Sequence, residues 1–185
     1  MNVLATALPG VLLIEPTVFV DARGFFMEAF SARRYAEAGI AETFVQDNVS
    51  KSAKHVLRGL HYQNPGGQGK LVSVLRGEVF DVVVDVRRGS PTFGQWVGQY
   101  LSSENRRQLY LPAGCAHGFL VTSEEALFIY KCTAYYDPSG ECGIRWNDPG
   151  LSIQWPSRDV SLSAKDATAP LLADVPVSRL PTFDR

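Results

Sequence analysis

The feature that most constrains the fold is a recurrence of short apolar segments separated by turn-forming residues. Examples are KLVSVLRGEVFDVVVDV, GQWVGQYL, QLYLPAG, HGFLVT and ALFIYKCTAYY. Valine, isoleucine, phenylalanine and tyrosine dominate them, and glycine, proline, asparagine or serine stands at the breaks. Because β-branched and aromatic side chains favour strands and the breaks favour tight turns, the pattern predicts many short strands. The expected fold is all-β, an antiparallel sandwich or barrel.

Two short helices and one hairpin are also predicted. In SARRYAEAGI, Ser31 is suited to cap the N-terminus of a helix and Gly39 to end it. In SLSAKDA, residues 161–167, a serine again precedes a single helical turn. LRGE, residues 75–78, is predicted to form a hairpin turn between two strands.

Composition limits the class of protein. The 185 residues, 45% hydrophobic and 20% charged, suit one soluble globular domain over residues 1–185. A formal net charge of −1 gives no reason to expect a nucleic-acid or membrane partner, although a local basic site for an anionic ligand stays open. The start of the chain lacks the pattern of a signal peptide or transmembrane helix. Three cysteines without metal-type spacing favour a reduced, cytoplasmic protein.

The three histidines are the first candidates for chemistry. His55 in KSAKHV is interpreted as an exposed surface residue. His61 lies within the extended run LRGLHYQ, and His117 follows the turn in PAGCAH. For both, the residues alone leave a buried structural role as open as a functional one. Strand metal sites often hold two histidines spaced one residue apart, but Gln63 occupies that position here, so no metal is predicted.

A general base is the stronger hypothesis for His61, because imidazole can accept a proton near neutral pH. Removal of a carbon-bound proton also needs an acid and a group that stabilises the enolate. Tyr130 in LFIYKC is a candidate acid, although the residues alone favour a core tyrosine. Lys70 follows the glycine-rich loop NPGGQG and could place a cation near developing negative charge. Asp166 in SAKDA could orient His61 through a hydrogen bond.

Polar side chains that could contact a ligand occur in several further places. They are Arg23 and Glu28 in DARGFFMEAF, Gln46, Asp47 and Asn48 in FVQDNVSKS, and the separate arginines Arg58 and Arg145. Guanidinium groups are planar donors suited to phosphate. The residues alone leave a solvated role equally open for Arg23 and Arg58, and they favour it for Arg145.

Together these motifs resemble the dTDP-4-dehydrorhamnose 3,5-epimerases, also called dTDP-4-keto-6-deoxyglucose 3,5-epimerases, along nearly the whole chain. The strongest stretches are DARGFFMEAF, FVQDNVSKS, LRGLHYQ, QGKLVSVLRGEVFDVVVDVRRGSPTFGQWVG, LPAGCAHGF, YKCTAYYDP, IRWNDP and LSAKDA. The resemblance implies a cupin-type antiparallel jelly-roll barrel, a homodimer, and a site without metal or cofactor. It implies inversion of C3 and C5 of dTDP-4-keto-6-deoxy-D-glucose in dTDP-L-rhamnose biosynthesis. A relative inverting only C3 or only C5 of a dTDP-4-keto-6-deoxyhexose remains the alternative.

The resemblance also assigns roles to individual residues. His61 matches the family's general base, and Asp166 matches the acid paired with it. Tyr130 matches the general acid, Lys70 the lysine near the keto oxygen, and Tyr136 a tyrosine that stacks on thymine. The positions that match substrate contacts in the family are Arg23, Glu28, Gln46, Asp47, Asn48, Arg58, Lys70, His117, Glu141 and Lys165.

The strand around Gly59 carries a geometric condition. In a regular strand Gly59, His61 and Gln63 share one face, and Arg58 lies on the other. The resemblance nevertheless implies that both Arg58 and His61 reach substrate. We therefore predict a twist or bulge at Gly59, or an Arg58 side chain that curls round the strand edge.

Overall fold

The computed structural model describes residues 1–183; the last two residues of the predicted domain lie outside this range. The strands are β1 (Asn2–Ala5), β2 (Leu12–Glu15), β3 (Val18–Asp21), β4 (Gly24–Met27), β5 (Gln46–Ala53), β6 (Leu57–Gln63), β7 (Lys70–Arg76), β8 (Glu78–Asp85), β9 (Trp96–Ser102), β10 (Gln108–Leu111), β11 (Cys115–Val121), β12 (Glu125–Cys132) and β13 (Glu141–Gly143). The α-helices are α1 (Ala32–Glu37) and α2 (Ala164–Ala167). Short 3-10 turns lie at Pro138–Gly140, Leu172–Asp174 and Val177–Arg179.

Two antiparallel sheets form most of the structure. One sheet has the strand order β1-β2-β10-β7-β12-β5, and the other has the order β13-β6-β11-β8-β9. Strands β3 and β4 pair separately as a hairpin. The predicted all-β antiparallel fold with a few short helices is confirmed.

The two sheets pack on each other around an apolar core. On β8, Val79 and Val83 enter this core, whereas Val82 and Val84 lie on the outer face of their sheet. That outer face is covered by the C-terminal part of the chain, including Leu180. Because β8 is buried on both faces, its apolar residues follow one another in the sequence, as in Val82, Val83 and Val84, instead of alternating with polar ones.

Helix α1 packs on the outer face of the six-stranded sheet. Ser31 occupies the N-cap position as predicted, but its side chain makes no capping hydrogen bond. Gly39 follows the helix with a φ of +94°, a left-handed conformation that glycine adopts without a Cβ clash. The buried Tyr35 fastens the helix to β10, because its hydroxyl donates to the Gln108 side chain.

The predicted hairpin at LRGE is wrong. Gly77 does turn the chain between β7 and β8, but these strands belong to different sheets. The turn is therefore a crossing from one sheet to the other. Gly77 has a φ of +77°, and a Cβ there would lie 1.9 Å from the Glu125 carbonyl oxygen, so only glycine fits. A tight turn between two apolar segments is equally compatible with a hairpin and with a crossing.

Candidate active site

A cavity of about 680 Å³ opens between the two sheets. Nine of the expected site residues line it: Arg58, His61, Lys70, His117, Tyr130, Tyr136, Glu141, Lys165 and Asp166. Strands β6 and β11 of the five-stranded sheet supply one wall, and β7 and β12 of the six-stranded sheet supply the other. The fold therefore places different chemical groups on facing walls.

A bulge in β6 brings two of these side chains to one cavity. Along β11, His61 pairs with His117 and Arg58 pairs with Phe119, so three steps on β6 span two on β11. Gly59, inside the bulge, has a φ of +126°, and a Cβ on it would lie 2.5 Å from the backbone of β11. The predicted irregularity at Gly59 is confirmed, and both Arg58 and His61 line the cavity.

His61 is paired with a buried carboxylate. Its Nε2 lies 2.5 Å from Oδ1 of Asp166, whose side chain is 5% exposed, while the His61 side chain is 33% exposed. Asp166 stands in α2, where its backbone N–H donates to the N-cap Ser163. Burial raises the pKa of Asp166, but hydrogen bonds from His61 and Ser163 outweigh it and hold that pKa below its usual value. A carboxylate at Nε2 leaves Nδ1 as the ring nitrogen free to accept a proton.

Tyr130 lies on the opposite wall, in β12. Burial raises the pKa of its phenol, the neighbouring Cys132 thiol adds to the increase, and Arg58 opposes it. The hydroxyl is therefore protonated at neutral pH and is available as a proton donor.

Lys70 begins β7, directly after the glycine-rich loop, and is only 9% exposed. Burial lowers the pKa of its ammonium group, and the nearby thiols of Cys132 and Cys115 partly offset this. A cation in such a poorly solvated position interacts strongly with any negative charge that develops beside it.

A second histidine–carboxylate pair lies deeper in the cavity wall. Nε2 of His117 lies 2.9 Å from Oδ2 of Asp81, which is fully buried. Burial raises the pKa of Asp81, and the contact with His117 opposes that increase. Phe119 on this wall and Phe128 on the opposite wall stack with ring centroids 4.2 Å apart, and both line the cavity.

The outer end of the cavity carries an aromatic and charged group of residues. Tyr136 is half exposed, and its hydroxyl donates to Oε2 of Glu141 over 3.3 Å. Lys165 Nζ donates to Oε1 of Glu141 over 2.5 Å, and this hydrogen bond lowers the pKa of Glu141. An exposed aromatic ring beside charged donors suits the binding of a nucleotide.

A family model described as dTDP-4-dehydrorhamnose 3,5-epimerase matches residues 5–174. The chain belongs to this epimerase family. It is 58% identical to the dTDP-4-dehydrorhamnose 3,5-epimerase of Salmonella typhimurium, over 93% of this chain and 96% of that relative. It is 56% identical to the enzyme of the same name from Pseudomonas aeruginosa, over 94% and 97% of the two chains.

Solved structures of the epimerases share the fold. The dTDP-6-deoxy-D-glucose-3,5-epimerase of Legionella pneumophila, in complex with dTDP-4-keto-L-rhamnose, matches with a TM-score of 0.97 and 55% identity over 100% of this chain and 99% of its own. A 3'-monoepimerase from Streptomyces bikiniensis, in complex with dTDP-quinovose, matches with a TM-score of 0.90 and 37% identity, over 96% and 91%. The expected cupin-type jelly roll is thereby confirmed.

Five of the contacts expected from the epimerase family lie outside the cavity wall: Arg23, Glu28, Gln46, Asp47 and Asn48. Arg23 pairs with Asp21 at the exposed end of the β3–β4 hairpin. Asp47 pairs with Lys131 on the outer face of the six-stranded sheet. Gln46 uses its side-chain oxygen to accept a hydrogen bond from the backbone of Tyr136, at the outer end of the cavity.

The cavity residues Phe119 and Phe128, and the buried His117 partner Asp81, were not predicted from the sequence of this family member. Asp81 is a carboxylate inside the apolar run VFDVVVDV, and an unexplained charge in a buried strand could have identified it. Phe119 and Phe128 gave no such signal, because aromatic residues in strands are usually core residues.

Three findings concern metals, membranes and thiols. Within residues 1–183, no group of three or more His, Cys, Asp or Glu side chains could hold a metal ion. No helix in that range is long and apolar enough to cross a membrane. Cys115, Cys132 and Cys142 are free thiols.

Proposed function

We propose that the chain inverts C3 and C5 of dTDP-4-keto-6-deoxy-D-glucose, giving dTDP-4-keto-L-rhamnose for dTDP-L-rhamnose biosynthesis. The placement of His61, with its partner Asp166, and of Tyr130 on opposite walls of one cavity carries the proposal. The 4-keto group of this sugar acidifies the protons on both neighbouring carbons. The proton transfers therefore rely on the carbonyl of the substrate, and we propose neither a metal nor a redox cofactor.

His61 is the proposed base. The Asp166 carboxylate accepts a hydrogen bond from the Nε2–H of His61, which fixes the ring and stabilises the imidazolium that forms when Nδ1 takes a proton from carbon. The resulting electron pair moves into an enolate whose negative charge lies on the C4 oxygen.

Tyr130 is the proposed acid. Because His61 and Tyr130 come from different sheets, they face opposite sides of a sugar ring held between the walls. A proton removed from one side and returned on the other inverts the carbon. Once the His61 imidazolium has released its proton to water and the Tyr130 phenolate has regained one, a change of ring orientation would present the second carbon to the same pair. Such acid–base catalysis contributes about 100- to 10,000-fold.

Lys70 and His117 are proposed to stabilise the enolate. The Lys70 ammonium is poorly solvated, so its attraction to the C4 oxygen is stronger than it would be in water. The Asp81 carboxylate holds the His117 ring in the opposite wall, which also carries His61.

The outer residues are proposed to bind the nucleotide. Tyr136 stacks on thymine, Arg58 contacts the diphosphate, and Glu141 and Lys165 contact the sugar nucleotide. On binding, the ligand competes with the Tyr136–Glu141 hydrogen bond at the cavity entrance.

We also propose that the chain is a homodimer and that the β3–β4 hairpin lies in its interface. The hairpin exposes four large apolar side chains, each more than half exposed: Phe19, Val20, Phe25 and Phe26. Large apolar side chains grouped on one exposed hairpin mark an interaction surface. This arrangement would carry Arg23 and Glu28, which miss the cavity of their own chain, to the cavity of the partner.

Subunit mixing tests whether Arg23 enters the cavity of the partner in the homodimer. Arg23→Ala and His61→Ala subunits are each expected to be impaired, and dissociating and reassociating a mixture should restore activity, because each mixed dimer gains one intact site. No restoration in reassociated mixed dimers would place Arg23 outside the partner's cavity.

We also propose that residues 1–185 form a single domain and that the protein is cytoplasmic. The three free thiols suit a reducing compartment.

The reaction itself is tested by deuterium uptake from D₂O into dTDP-4-keto-6-deoxyglucose. Label at C3 and at C5 with inversion supports the proposal, label at one carbon would replace it with a single epimerisation, and no label would refute it. His61→Ala and Tyr130→Phe should each reduce turnover strongly while dTDP still binds. Near-normal turnover in either variant would contradict the role given to that residue.

A further inference from the structure

We infer that Gln63 is a positioning residue for the nucleotide end of the cavity. It fastens the loop that carries Tyr136 to the strand that carries His61, and so fixes the distance between the thymine-binding surface and the base. The inference rests on the proposed function and deepens it.

Gln63 ends β6, two residues after His61, and is only 5% exposed. Its side-chain oxygen accepts a hydrogen bond from the backbone N–H of Asp137 over 2.9 Å. Its amide nitrogen donates to the carbonyl oxygen of Tyr135 over 3.3 Å. One buried side chain thus holds the peptide groups on both sides of Tyr136.

The same amide nitrogen also donates to the carbonyl oxygen of Gly66, in the loop that precedes Lys70. A single side chain therefore connects the loop before the proposed enolate-stabilising cation with the loop of the proposed thymine-binding residue. In a strand metal site, a second histidine would occupy this position. Here the Gln63 amide connects two loops through hydrogen bonds instead.

The loop has little apolar burial to hold it in place. Tyr135 and Tyr136 are 71% and 53% exposed. Further along, a Cβ on Gly140 would lie 2.9 Å from Cγ of Gln63, so the loop packs directly on this side chain. The Gln63 side chain therefore holds the part of the loop around Tyr136 to β6, and Gln46 adds a hydrogen bond from the Tyr136 N–H. Backbone pairing holds the far end of the loop, where the Asn64 N–H donates to the Gly140 carbonyl oxygen.

Loss of this attachment should weaken binding more than chemistry. His61, Asp166 and Tyr130 keep their own contacts in the sheets and in α2, so a bound sugar still meets the base and the acid. The loop would have to become ordered during binding instead of before it. We expect KM for the sugar nucleotide and Kd for dTDP to rise about tenfold, the equivalent of one net hydrogen bond, with kcat little changed.

Gln63→Met is the test variant, because methionine is unbranched and of similar size but cannot make these hydrogen bonds. Gln108→Met is the matched control. Gln108 is 3% exposed and also hydrogen-bonded, to Ser73 and the Ala29 carbonyl, on the outer face of the other sheet. We expect Gln108→Met to lower Tm while KM and the Kd of dTDP stay at their wild-type values.

The outcome is decided by binding measured on folded protein. A wild-type Kd for dTDP and a wild-type KM in Gln63→Met would overturn the inference, as would a loss of kcat with no change in either. If Gln63→Met fails to fold, Gln63→Glu takes its place: it keeps the acceptor for Asp137 but loses the donor, and an unchanged Kd there also overturns the inference. Absence of deuterium uptake by the wild-type chain would refute the proposed function instead, and the dTDP Kd comparison would still judge Gln63.

Discussion

Replacement of Gly59 by alanine tests the bulge on which the site geometry depends. The new Cβ would lie 2.5 Å from Cα of Gly118 and 2.8 Å from the carbonyl oxygen of His117, both backbone atoms of β11. In addition, the φ of +126° lies in a region that L side chains rarely adopt. β6 must therefore shift away from β11 or change its conformation.

The expected cost can be estimated from these two contributions. A strained backbone conformation costs about 1–3 kcal/mol, and forced overpacking costs about 1–3 kcal/mol. The free energy of unfolding should thus fall by about 2–6 kcal/mol. For a chain of this size, a loss near the middle of that range lowers Tm by roughly 8–16 °C.

Two other glycines separate the contributions. Gly39→Ala has a positive φ but no atom within 4 Å of its new Cβ, so it reports the conformational cost alone. Gly143→Ala meets its nearest atom at 3.5 Å and has no positive φ, so it should change stability little. Thermal unfolding of the three variants, with turnover measured on the folded Gly59→Ala protein, makes the comparison. A Gly59→Ala Tm no lower than that of Gly39→Ala, or full turnover, would refute the argument that β11 fixes the bulge.

Three further predictions concern charged groups. Lys70→Met should lower turnover by about 100-fold or more and yet raise Tm, because it removes a buried ammonium; a lower Tm would contradict the stated cost of burial. Asp166→Asn should lower turnover by at least about 100-fold with dTDP affinity retained, and equal loss of both would show that the residue acts on binding. Burial raises the pKa of Asp85, but hydrogen bonds from Arg87 and Ser90 hold it below 3.8, so its contribution to stability is present above pH 3.8 and is lost as the pH falls through the folded-state pKa. Asp85→Asn should therefore lower Tm near pH 7 and weaken the fall of Tm in acid, and an unchanged acid profile would contradict this.

The sequence predicted those parts of the fold that depend on local preferences. Strand composition indicated the antiparallel sheets. Gly39 marked the end of α1 because the backbone there is in a left-handed conformation, which glycine adopts readily. It was harder to predict from the sequence which strands pair with each other. Gly77 joins strands of different sheets, and nothing in the local pattern distinguishes that crossing from a hairpin.

In the site, too, some features could be predicted from the sequence, whereas contacts that depend on strand register could not. A resemblance could place His61 and Asp166 in one cavity, although they are 105 residues apart in the chain. The irregularity at Gly59 could be predicted because strand periodicity placed Arg58 on the wrong face. Asp81 was missed because its partner His117 lies on a different strand, and such pairs depend on register.

The two-sheet architecture separates the requirements for chemistry and for binding. His61 and Tyr130 stand on β6 and β12, which belong to different sheets, so the packing of the shared core fixes the distance between base and acid. Phe128, two residues before Tyr130, is part of that core and stacks on Phe119 from the facing sheet. Tyr136, in contrast, lies on a loop that is held by hydrogen bonds to the side chains of Gln63 and Gln46. Mutations that shorten core side chains should therefore change kcat by altering the distance between base and acid. Mutations that remove the hydrogen bonds to the loop should change KM.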